Sequence, residues 1–134
     1  MEGLIHTWTP RLLSVLRIVA GLLFVEHGTS KLLHFPPVAM FDNLQLMSLI
    51  GFAGVLELVG GGLLAVGLFT RPVAFILSGE MAAAYFMAHL PQSFFPVLNG
   101  GEAAILFCFI YLYLAAAGGG EWSLDRALRP GAKI

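Results

Sequence analysis

Cysteine and charge are what this chain has least of. Its 134 residues include a single cysteine, Cys108, and only 11% are charged. One thiol cannot form an intramolecular disulfide or a paired-cysteine metal site, and within an apolar run it is most simply a small buried hydrophobe. The net charge of −1 offers no basis for binding nucleic acid. P-loop and GxSxG motifs are also missing, so we expect neither a metal site nor a covalent cofactor.

Long apolar runs take the place of these features, because 58% of the residues are hydrophobic. Four windows, at about 12–33, 47–69, 72–90 and 99–117, each approach the ~20 residues that cross ~30 Å of hydrocarbon. A chain this short cannot cover four helices that are apolar nearly all round, as a soluble fold requires. The sequence therefore predicts an all-α fold, a four-helix transmembrane bundle that forms one domain over residues 1–134.

The positions of Lys and Arg predict the orientation of the bundle. Five basic residues fall on the side that holds both termini, namely Arg11, Arg71, Arg126, Arg129 and Lys133. The opposite side has only Lys31. By the positive-inside rule both termini are cytoplasmic in a multi-pass protein of the inner membrane. The tail at 118–134 then lies on the cytoplasmic face, where Ser123 is placed to cap a short amphipathic helix.

Charged residues inside the apolar windows indicate where function lies, because a membrane-embedded charge is costly and must be paired, neutralised or wet. Glu57 shares a helical face with the small residues Ala53, Gly54, Gly60 and Gly61. Such a face is typical of a close helix–helix contact, but a mid-membrane carboxylate within it also favours a polar site. A desolvated Glu can hold a proton near neutral pH, so Glu57 is a candidate proton carrier.

Depth along the helices separates the polar residues into two layers. The inner layer pairs Arg17 with Glu80, and we interpret this pair as structural. The outer layer contains candidate ligand-binding residues of the first, third and fourth windows: His27, Lys31, His89, Asn99 and Glu102. Glu26 reaches the same depth but points away from the face that carries Arg17 and Lys31. An outer-half polar pocket is the resulting prediction.

Four segments stand out in order along the chain: RIVAGLLFVEHGTSKL, GVLELVGGGLLAVGLFTRPVA, the NGGE at residues 99–102 and the closing GGGEWSLDRAL. Together they resemble the DoxX family of small four-helix membrane proteins. The resemblance covers nearly the whole chain in order. It implies an inner-membrane location, and for some members an association with quinone or thiosulfate oxidation or with oxidative-stress complexes.

Three functions remain open from the sequence. The favoured one is a membrane subunit of a redox or oxidative-stress system that binds a quinone or similar small carbonyl compound in the outer-half pocket. The second is a non-catalytic anchor or assembly factor for soluble redox enzymes, and the third is a proton-coupled exporter of small molecules. The lipid bilayer is the expected partner in each, with soluble redox enzymes and further copies of the chain as candidates.

The orientation can be tested by topology mapping. A reporter that is active only in the cytoplasm should work when fused after Ile134. A thiol label at a cysteine introduced at Asp42 or Gln92 should react from outside the cell. The inverse pattern would overturn both the orientation and the assignment of the polar layers to inner and outer halves.

Overall fold

The computed structural model describes residues 1–131, and all the regular structure in that range is helical. Six α-helices follow one another along the chain: α1 (Glu2–Leu33), α2 (Leu49–Val66), α3 (Thr70–Ala84), α4 (Pro96–Asn99), α5 (Glu102–Ala117) and α6 (Leu124–Leu128). A π-helical turn, Tyr85–His89, extends α3. The four long helices α1, α2, α3 and α5 confirm the predicted all-α four-helix bundle.

The helix ends differ from the predicted windows, which followed hydrophobicity alone. α1 begins at Glu2, ten residues earlier, because a helix does not need apolar side chains to continue into water and Glu2 complements its positive end. α2 begins after Ser48, whose hydroxyl accepts a hydrogen bond from the Gly51 amide. It stops at Gly67, which takes a left-handed conformation (φ 74°) that only glycine adopts without cost.

By length and hydropathy, α1 and α2 can each cross a membrane, and α5 is a shorter apolar helix. The third predicted span is composite, since α3 and its π-helical turn together run from Thr70 to His89. At 32 residues, α1 measures about 48 Å and so extends beyond the ~30 Å hydrocarbon layer.

Two helix pairs form the bundle, α1 against α2 and α3 against α5. The first pair meets backbone to backbone at glycines: a Cβ added at Gly28 would lie 2.5 Å from the Leu58 amide nitrogen, and one at Gly21 would lie 2.6 Å from that of Ala65. The buried phenol of Tyr111 in α5 donates a hydrogen bond to the Ala20 carbonyl at 2.9 Å. The close contact between small residues that the sequence suggested for α2 is therefore present.

Replacing Gly28 with alanine should separate α1 from α2. The added methyl group meets the backbone of Leu58, which cannot move without shifting the helix, so we expect a loss of about 1–3 kcal/mol in unfolding free energy. Gly62→Ala is the matched control in α2, because nothing lies within 4 Å of the added atom. Thermal unfolding of both variants in detergent would measure the difference, and equal stabilities would contradict the crossing.

Candidate functional site

An ion pair between α1 and α2 is the central feature of the bundle interior. The Lys31 Nζ atom lies 2.6 Å and 2.7 Å from the two carboxylate oxygens of Glu57. Only 3% of the Glu57 side chain and 13% of the Lys31 side chain are exposed. Helical side chains lean toward the N-terminus of their own helix, so Lys31 reaches from the C-terminal end of α1 toward the middle of the bundle. Gly54 leaves room for this reach, since a Cβ there would lie 3.1 Å from the Lys31 Cβ.

Glu80 of α3 is a second interior carboxyl group near this pair. Glu57 and Lys31 both act electrostatically on the Glu80 carboxyl group. Glu80 and Glu57 in turn both act on the Tyr111 phenol. Both carboxyl oxygens of Glu80 are buried, and neither has a hydrogen-bond partner within the described part of the chain. The charged groups of α1, α2 and α3 and the Tyr111 phenol of α5 thus interact electrostatically in the interior.

The predicted Arg17–Glu80 pair is wrong, because the fully buried Arg17 guanidinium is bound to backbone carbonyls instead. Its nitrogen atoms donate to Leu64 at 2.5 Å, Ala65 at 2.8 Å, Gly119 at 2.8 Å and Trp122 at 2.5 Å. The first two carbonyls belong to the last turn of α2, which leaves its carbonyls without helical partners and attracts a cation.

The tail after α5 supplies the other two carbonyls by folding back onto the helix ends. Ser123 caps α6 by accepting from the Arg126 amide, which confirms the predicted short helix. Asp125 accepts hydrogen bonds from the Phe69 and Thr70 amides at 2.8 and 2.9 Å and so caps α3 as well. Burial raises the pKa of Asp125, but these hydrogen bonds outweigh it, so that pKa lies below its ordinary value.

Sequence reasoning missed Asp125 and Tyr111. Asp125 sits in the first turn of α6, where its type and position suggest a local role in its own helix. Asp125 meets α3 only in the folded chain, so no local sequence pattern predicts this contact. The three glycines before Glu121 are the sequence feature that could have predicted that the tail folds back closely. A side chain would not fit there, because a Cβ at Gly119 would lie 2.7 Å from the Ser123 Cβ.

His89 and Asn99 meet at the other end of α3, in contact with the π-helical turn. Nδ1 of His89 donates to the Asn99 carbonyl at 3.0 Å. The buried Asn99 amide donates to the Ser93 carbonyl at 2.9 Å and to the Tyr85 hydroxyl at 3.3 Å. Its oxygen accepts from the Gly101 amide at 2.8 Å. The side-chain hydrogen bonds of Asn99 therefore hold together the loop that leads into α5.

His27 and Glu102 lie apart from both groups and are exposed. Nδ1 of His27 donates to the Leu23 carbonyl at 2.8 Å, and its ring contacts Phe107 with centroids 6.5 Å apart. A groove of about 200 Å³ runs between α1 and α5 beside them. Eight apolar residues line it: Leu16, Val19, Ala20, Leu23, Ala103, Leu106, Phe107 and Ile110.

The predicted outer-layer residues are therefore distributed over three places. Lys31 contacts Glu57 and His89 contacts Asn99, whereas His27 and Glu102 are next to the groove residues Phe107 and Ala103, respectively. Within residues 1–131, no three His, Cys, Asp or Glu side chains are grouped so that they could hold a metal ion. The ligand-binding roles of the five residues, and the role of Glu57 as proton carrier, stay predictions.

Comparison with known sequences decides the family, because the DoxX family model matches residues 12–90, more than half of the chain. The chain belongs to the DoxX family. Among its relatives is an uncharacterized protein of Haemophilus influenzae, 44% identical over 125 residues that cover 90% of this chain and 93% of that protein. Membership of DoxX and the membrane relative described next identify the chain as a membrane protein.

Two more distant DoxX-like relatives carry descriptive names. The uncharacterized membrane protein Rv3486 of Mycobacterium tuberculosis is 26% identical, with 93% of this chain and 86% of that protein covered. CatD of Bacillus subtilis, whose name gives oxidoreductase activity as a provisional assignment, is 27% identical, with 89% and 88% covered. No solved structure shows a significant match to the chain.

The cap that Asp125 provides should make stability depend on pH. Because its folded-state pKa is lowered, the stabilisation is present above the unfolded pKa of about 3.9 and disappears as pH falls through the folded-state pKa. Asp125→Asn should lose about 1 kcal/mol at pH 7 and be less sensitive to acid than the wild type. The exposed Asp42→Asn is the control, and parallel pH profiles of unfolding for all three proteins would exclude the cap.

Proposed function

We propose that this DoxX protein is an integral membrane subunit of a redox system and binds a quinone, as quinone or quinol, or a similar small carbonyl compound. Family membership and the relative named for oxidoreductase activity support the association with redox chemistry. The observation that carries the proposal is the apolar groove between α1 and α5, with the imidazole of His27 next to Phe107, one of its lining residues.

The shape of the groove suits a ligand that stays dissolved in the bilayer. Sites that enclose a small molecule have volumes of about 300–1,000 Å³. At about 200 Å³, this groove can hold only part of such a ligand and leaves the rest in hydrocarbon. Its lining is aliphatic except for Phe107, whose ring offers a surface for an aromatic or quinonoid ring to pack on. A ring with a long apolar tail meets these conditions.

His27 supplies polar recognition for either redox form. The hydrogen bond from Nδ1 to the Leu23 carbonyl fixes the tautomer and leaves Nε2 unprotonated in the neutral ring. Nε2 then accepts a hydrogen bond from a quinol hydroxyl, and in the imidazolium form it donates to a quinone carbonyl. Glu102 begins α5 directly before Ala103 of the groove, so its carboxylate is a further acceptor next to the groove.

The remaining members of the predicted site are proposed to act indirectly. Lys31 is engaged by Glu57, and His89 and Asn99 are engaged with each other. These bonds fix α1 against α2 and the entry to α5, and α1 and α5 are the helices that form the groove. The three residues would therefore position its walls without contacting the ligand.

A second candidate function is a non-catalytic anchor for soluble redox enzymes or for further copies of the chain. The folded-back tail favours it, because Trp122, Leu124 and Leu128 are 51%, 42% and 68% exposed there. Exposed apolar side chains next to a rigid, capped helix end can serve as a docking surface or as an interfacial anchor.

Binding of short-chain quinone and quinol to purified protein in detergent, followed by calorimetry, tests the first function. His27→Leu removes one hydrogen bond, worth about 0.5–1.5 kcal/mol, and should weaken binding about 2- to 10-fold. Ala103→Phe fills the groove at an exposed position and should abolish binding. Cys108→Ala is the control and should bind as the wild type does.

If the wild type does not bind quinone or quinol, the proposed quinone site is wrong and the anchor function becomes the favoured one. Equal affinities in all four proteins would show that any binding occurs outside the groove. Size-exclusion profiles and thermal unfolding would confirm that each variant is folded.

A further inference from the structure

Glu80 does not line the groove, but its carboxyl group is placed where a negative charge is costly. Its carboxyl oxygens are shielded from solvent inside the bundle, and among residues 1–131 nothing donates a hydrogen bond to either of them. A carboxylate without donors in a low-dielectric interior is far less stable than its neutral acid. The group therefore needs a counter-ion or a proton.

The basic side chains near the bundle interior are already committed. The Lys31 Nζ atom donates hydrogen bonds to both oxygens of the Glu57 carboxylate. Arg17 donates hydrogen bonds to four backbone carbonyls, and Arg71 donates to the carbonyls of Ala115 and Ala116. None of these contacts reaches Glu80.

The titratable groups around Glu80 come from three helices. Glu57 of α2 is a like charge, which disfavours a second carboxylate, and Lys31 of α1 is attractive but shared. Tyr111 of α5 directs its hydroxyl proton to the Ala20 carbonyl and so does not donate to Glu80. Cys108, also of α5, contacts the Ser78 hydroxyl at 3.5 Å.

We propose that Glu80 is the proton-binding site of the bundle interior: Glu57 and Glu80 share one lysine and one proton, with the lysine at Glu57 and the proton at Glu80. This reverses the roles predicted from the sequence, in which Glu57 carried the proton and Glu80 was an ion-pair partner. A proton delivered to Glu57 would release Lys31 to turn toward Glu80 and drive its proton off. The two carboxyl groups thus depend on one lysine.

Infrared spectroscopy of the full chain in detergent at pH 7 tests the proposal without reference to any ligand. The wild type should show the C=O stretching band of a protonated carboxylic acid, with a downshift in D₂O. Glu80→Gln should remove that band. Glu57→Gln should remove it too, because Lys31 then pairs with an ionised Glu80. The exposed Glu2→Gln and Glu26→Gln are controls and should keep it.

Several results would overturn the proposal. They are a wild type without the band, a band that survives in Glu80→Gln, and a band that survives in Glu57→Gln. Thermal unfolding adds an independent measurement: Gln closely matches a protonated Glu, so Glu80→Gln should leave the unfolding temperature at pH 7 unchanged. If Glu80 is ionised instead, the same substitution should shift that temperature and its pH profile.

Discussion

Arg17 is the residue on which the half of this structure that contains the tail depends. A guanidinium with no exposed surface must place its donors on acceptors inside the protein, since neither lipid nor water is available to it. Helix ends and tight turns are where backbone carbonyls are left over, and Arg17 binds two of each kind. One side chain thereby fixes α1, the end of α2 and the tail relative to one another.

Glycine makes that arrangement possible at two turns. Gly67 and Gly120 both have positive φ, 74° and 80°. A Cβ at Gly67 would lie 2.9 Å from the Arg17 Cζ atom, and one at Gly120 would collide with the Ser14 hydroxyl. The glycines that surround the charged residues are thus a consequence of burying a large cation against backbone. The same reasoning applies to Gly54 beside Lys31, where the missing side chain makes room for the ion pair.

Residue type and periodicity were sufficient for the parts of the structure that depend on a single helix. They identified four apolar helices, the face shared by Arg17 and Lys31, and the outward direction of Glu26, which is exposed. They failed where a side chain spans two elements. Arg17 and Glu80 have opposite charges and similar depths, which is why the sequence suggests a pair. A depth count does not include the backbone carbonyls of α2 and of the tail, which bind the guanidinium instead. The depth count assigns Lys31 to the outer layer and does not pair it with Glu57, because depth taken from helix position omits the length of the lysine side chain.

These contacts divide the polar residues of the membrane region into two kinds. Arg17, Asn99 and the Lys31–Glu57 pair are satisfied by partners within the fold, and removing them would first affect folding. The carboxyl oxygens of Glu80 are buried without a hydrogen-bond partner in the described chain, and one ring nitrogen of His27 has no partner there either. A bundle this small gains nothing in stability from a carboxyl group that nothing binds. The unsatisfied groups are therefore where chemistry beyond folding is to be sought, with a proton at Glu80 and a hydroxyl or carbonyl group at His27.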